Sequence, residues 1–92
     1  MELDGTILFF YYDDLAKASK FYKDIMGFEK VIDIPLVKVF KVHGNCHVGL
    51  LDGHTGYLKY TEDKPIMLSW FSDDIDGWYR HLLEKGVERA RI

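Results

Sequence analysis

Hydrophobic and polar positions along the chain fall into two stretches of like design. Thr6 to Tyr12 is unbroken apolar and aromatic sequence with strong β propensity. Asp13 and Asp14 offer a helix cap, with acidic charge where a helix start favours it. From Leu15 the apolar residues recur at Leu15, Ala18, Phe21, Tyr22, Ile25 and Met26, the spacing of one helical face, and Gly27 is placed to end the helix. Phe28 to Ile34, Val37 to Val42 and Cys46 to Leu51 read as three strands, separated by Pro35 and by the His43-Gly44-Asn45 turn. After a polar loop from Asp52 to Gly56 the pattern restarts. Ile66 to Ser72 reads as a strand, Asp73-Asp74 as the cap, and Ile75, Trp78, Tyr79, Leu82 and Leu83 as one helical face ended by Gly86.

The restart keeps order and spacing. A shift of sixty positions lays Leu8 on Leu68, Asp13 on Asp73 and Asp14 on Asp74. With one residue deleted in the helix, Gly27 falls on Gly86 and Glu29 on Glu88. Strand, cap, helix and stop at a fixed offset mark an internal repeat. The first unit runs on through three further strands, whereas only Val87 to Ile92 follow Gly86 in the second. Roughly thirty residues of a complete two-unit domain are therefore expected to be missing from this sequence. The apolar face of the second helix needs sheet to cover, which strand exchange with a second chain could supply.

Asp14-Leu15-Ala16-Lys17-Ala18-Ser19-Lys20-Phe21-Tyr22, followed by Met26-Gly27-Phe28-Glu29, resembles the opening β–α–β of the vicinal oxygen chelate superfamily, the glyoxalase/bleomycin resistance protein/dioxygenase group. Ser72-Asp73-Asp74-Ile75-Asp76 with Leu82 to Val87 resembles the start of that family's second module. The resemblance implies an α+β fold of paired β-α-β-β-β modules curled around a shared cavity. It divides the single domain, residues 1–92, into a first module at 1–58 and the β-α start of a second at 64–92. In metal-dependent members one ligand lies on each module's first strand, seven positions before the capping Asp, and another near the end of the fourth strand. Those positions carry Ile7, Met67 and Gly49 here, none with a nitrogen or oxygen donor. The resemblance therefore implies a member with no metal ligands and no metal cofactor.

Composition narrows the function further. A net charge of −3 with scattered Lys and Arg offers no basic stripe, so nucleic acid is not an expected partner. No apolar run approaches a membrane span, and the acidic start Met1-Glu2-Leu3-Asp4 lacks the regions of a signal peptide. Cys46 is the single cysteine, so no intrachain disulfide forms and a cytoplasmic location is expected. His43 and His54 sit in polar turns as solvated side chains. With His47 and Cys46 they match no paired zinc spacing.

Strand alternation puts Ile7, Phe9 and Tyr11 on one face and packs Leu8, Phe10 and Tyr12 under the helix. By the repeat, Met67, Ser69 and Phe71 take the cavity side of the later strand. Tyr57 and Tyr60 lie in the connection, where such proteins close over a ligand. His47 shares Gly49's face and offers imidazole as ligand, base or hydrogen-bond partner. The expected site is thus an aromatic-lined cleft of Phe9, Tyr11, His47, Tyr57, Tyr60, Met67, Ser69 and Phe71, with no catalytic residue assigned. The expected function is metal-free binding of a planar or amphipathic small molecule, as a homodimer. The alternatives are a metal-dependent lyase, isomerase or dioxygenase of the same superfamily, and an interaction module that pairs through its strand edges.

Overall fold

A computed structural model describes residues 1–55 and 58–88. Four strands, β1 (Thr6–Tyr12), β2 (Glu29–Ile34), β3 (Val37–His43) and β4 (Cys46–Asp52), form one sheet in the order β1-β4-β3-β2. The β2–β3 and β3–β4 pairs are antiparallel, while β1 joins β4 in parallel. Helix α1 (Leu15–Lys20) continues into a π turn at Phe21–Ile25, and α2 (Ile75–Glu84) stands in the second unit. This β-α-β-β-β arrangement followed by a lone helix is the α+β module expected from the sequence.

One face of the sheet packs under α1. Phe40 and Leu50 are 0% exposed and Val48 is 1% exposed; they join Ala18 and Tyr22 in the core, with Phe10 and Tyr12 packed against it. Each large apolar side chain buried in this way stabilises the fold by about 1.5–3 kcal/mol. The Tyr12 and Tyr22 hydroxyls meet at 2.7 Å, which gives both phenols a partner inside an apolar layer.

The two units share their helix ends. Asp14 accepts a hydrogen bond from the Lys17 N–H at 3.0 Å, and Asp74 accepts one from the Gly77 N–H at 2.9 Å. Each caps its helix through the third residue on. Gly27 and Gly86 both take the left-handed conformation, at φ 74° and 79°, which a side chain at either stop would oppose. Gly27 lies thirteen residues after Asp14, whereas Gly86 lies twelve after Asp74. The π turn accounts for the difference: the Met26 N–H donates to the Phe21 carbonyl five residues back, at 3.1 Å, and so absorbs one extra residue. The sequence pattern had predicted an unbroken helix there.

Two expectations are corrected. Asp13 is not a cap; its carboxylate pairs with His54 Nε2 at 2.6 Å, so His54 ties the loop after β4 to the end of β1. The segment Ile66 to Ser72 forms no strand. In the first unit the corresponding strand is held by β4, whereas Ile66 to Ser72 pairs with no strand among the described residues. A strand without a ladder partner has nowhere to place its backbone hydrogen bonds except water. Instead the segment docks through side chains. Leu68 packs against the core, and the Trp70 ring meets Phe28 and Tyr22 edge-on, at 5.4 and 6.4 Å between centroids.

Candidate functional site

The sheet face opposite α1 is built in three rows, because residues paired in register point to the same side. Across β1, β4, β3 and β2, the first row is Ile7, His47, Lys41 and Glu29. The second is Phe9, Gly49, Val39 and Ile32; the third is Tyr11, Leu51, Val37 and Ile34. Two rows are thus hydrocarbon and aromatic throughout, while the first ends in an imidazole, an ammonium and a carboxylate. The slip in β2 between Lys30 and Ile32 is what brings Ile32 onto this face. Ile7, Phe9 and Ile32 remain 43–44% exposed, so the face is apolar and accessible. Gly49 provides the low point of the surface: a Cβ built there would overlap Cδ1 and Cε1 of the Phe9 ring, which lies across it.

The structure brings Phe9, Tyr11 and His47 together here. Tyr60 stands at the end of the sheet, its N–H donating to the Gly53 carbonyl at 2.9 Å while the Gly53 N–H donates to the Tyr12 carbonyl at 2.8 Å. The Lys64 ammonium sits 4.4 Å from the centre of its ring. Met67, Ser69 and Phe71 are exposed, on the alternate positions to Leu68 and Trp70, and no ladder joins them to the Phe9 face. Tyr57 lies outside the described residues. Val37, Val39, Lys41, Ile32 and Ile34 complete the face and had not been singled out. Alternation of Val37, Val39 and Lys41 was visible in the sequence, but the register that sets them beside Gly49 was not.

Elsewhere the strong electrostatics lie behind this face. Burial pushes the Tyr12 hydroxyl well above the usual phenol range, and its hydrogen bond to Tyr22 adds to the effect. Burial also raises Tyr22, partly offset by the hydrogen bond from Tyr12. At the β2 edge, the Lys38 hydrogen bond holds the Asp33 carboxyl below its ordinary value.

The family model for the glyoxalase/bleomycin resistance protein/dioxygenase superfamily matches residues 6–92. The chain belongs to that superfamily. Among solved structures, lactoylglutathione lyase from Agrobacterium tumefaciens is similar at 23% identity and a TM-score of 0.68, over 86% of this chain and 67% of that one. That likeness concerns the fold. No curated protein matches the chain.

Membership makes the metal positions testable. Asp14 and Asp74 are the capping residues, and Ile7 and Met67 stand seven places before them. Ile7 and Met67 offer no hard donor, Gly49 has no side chain, and the Phe9 ring covers the position in front of it. Among the described residues His47, paired with Ile7, is the one imidazole on the face. Among the described residues no three His, Cys, Asp or Glu side chains are grouped to hold an ion. These residues do not fit the superfamily's metal centre.

Proposed function

We propose that this superfamily member is a metal-free small-molecule-binding protein that holds a planar or amphipathic ligand against the Phe9 face. The observation that carries the reading is the row structure of the sheet. Phe9, Ile32, Tyr11, Leu51, Val37 and Ile34 offer an apolar surface, and His47, Lys41 and Glu29 offer polar groups at one end. Stacking and burial would hold the body of the ligand, and the polar row would orient its head. No bond-making step is assigned.

A second copy of the chain supports the site in this reading. The chain exposes 7702 Å², against about 5,500 Å² expected for a compact monomer of its mass. The excess, roughly 2,000 Å² per chain, would come to about 4,000 Å² over two copies, the range of obligate homodimer interfaces. Much of it is apolar, including Phe71, Met67, Ile75, Trp78, Tyr79 and Leu83. A homodimer in the cytoplasm, a reducing compartment that suits a lone exposed Cys46, completes the proposal. Among the described residues no helix is long and apolar enough to cross a membrane.

Titration with an environment-sensitive anilinonaphthalene dye tests the binding reading. The dye should bind the parent protein and lose at least about tenfold in affinity in Phe9→Ala or Tyr11→Ala, a loss within the range for central aromatic contacts. Unchanged affinity in both variants would overturn it. Protein desalted after purification should carry no stoichiometric zinc, nickel, iron or manganese; finding one would promote metal-dependent chemistry, with His47 the first residue to substitute.

A further inference from the structure

Phe9 and Gly49 are direct partners in the β1–β4 ladder, and Val39 is the partner of Gly49 on β3. A side chain at position 49 would begin where the Phe9 ring lies, overlapping Cδ1 and Cε1 and coming within 3.0 Å of Cγ. Gly49 is not among the glycines with positive φ, so its backbone accepts any residue. The ring, not the main chain, is what demands glycine. Val39 is 1% exposed although its face carries no helix among the described residues. With no side chain at 49 between them, Phe9 and Val39 are the next neighbours across the row, and the ring lies over position 49.

We propose that Phe9 and Gly49 act as one unit that determines the specificity of this face. The ring occupies the volume that a coordinating or hydrogen-bonding side chain at position 49 would need. The face therefore presents a continuous hydrocarbon surface there, and a cation is excluded by shape as well as by the lack of donors. For ligand choice this rests on the binding function proposed above; the coupling of the two residues does not.

Denaturation of Gly49→Ala, Phe9→Ala and Phe9→Ala/Gly49→Ala, at one protein concentration, tests the coupling. Adding the methyl should lower the folded-to-unfolded ratio at least about tenfold more when Phe9 is present than when it is absent, as expected for side chains in contact. Should Gly49→Ala fail to fold while the double variant folds, the coupling is equally established. Equal losses in both backgrounds, or failure of both Gly49→Ala proteins to fold, would overturn it. The second arm titrates zinc ion into Ile7→His/Gly49→Glu, with and without Phe9→Ala. His47 stands ready as a third donor, so removing the ring should tighten zinc binding at least about tenfold. Equal affinity with and without Phe9 would overturn exclusion by shape. Failure of the dye to bind bears on the proposed function and leaves both arms as they stand.

Discussion

Phe9 and Phe10 are adjacent in the chain and face opposite ways, which makes them a controlled pair. Phe10 packs against the core under α1, so Phe10→Ala should cost about 3–5 kcal/mol. Phe9 is 43% exposed and already lacks partner atoms on one side, so Phe9→Ala should cost clearly less. Chemical denaturation at fixed protein concentration compares them directly; equal, large losses would make the Phe9 wall ordinary core. The Tyr12–Tyr22 pair gives a second residue-scale test. Both phenols have folded-state pKa values raised above the ordinary 10.0, chiefly by burial. A raised pKa means that the neutral pair contributes its full stability below pH 10.0 and loses it as pH climbs beyond that value. Tyr12 and Tyr22 should therefore ionise at higher pH in the folded protein than in the unfolded chain, read from phenolate absorbance. Tyr22→Phe should remove one of them and cost about 1–3 kcal/mol, since it leaves the Tyr12 hydroxyl unpaired.

The two helices have like caps and unlike surroundings. Helix α1 contributes Ala18 to the core, whereas α2 buries no residue and is tied to the first unit by His81, whose Nε2 donates to the Ile25 carbonyl at 2.6 Å. Asp14→Ala and Asp74→Ala each remove one cap bond, worth about 1 kcal/mol. The consequences should differ. Asp14→Ala should lower the global unfolding midpoint, while Asp74→Ala should speed amide exchange within Ile75–Glu84 and leave the sheet unchanged. A global loss from Asp74→Ala would show that α2 is coupled to the core more tightly than its exposure indicates. The π turn belongs to the same scale. Periodicity located the helix and its end at Gly27, but an extra residue shifts the helical phase by one position, which apolar spacing over so short a segment does not resolve.

At the scale of the whole molecule, the chain is less compact than its length allows. Its radius of gyration is 14.1 Å, against about 12 Å for a compact domain of this size. Together with the exposed apolar face of α2, this predicts self-association. Sedimentation equilibrium should show a dimer, and the melting temperature should rise with protein concentration. A compact monomer with a concentration-independent cooperative melt would contradict it.

What the sequence determined by itself was everything that depends on neighbours in the chain. Caps at Asp14 and Asp74, stops at Gly27 and Gly86, and the opposite facing of Phe9 and Phe10 follow from local hydrogen bonds, backbone freedom and strand alternation. The repeat made the family legible for the same reason. Tertiary structure decided what depends on partners far along the chain. Register alone set Gly49 beside Phe9 and brought Val39 and Ile32 onto their face. The pairing of Asp13 with His54 joins residues 41 apart in the chain, which periodicity does not see. Ile66 to Ser72 has strand-like residues throughout, yet Met67 and Phe71 remain exposed and only Leu68 and Trp70 dock. A strand is a property of two segments, and β propensity in one cannot supply the hydrogen-bonding edge of the other.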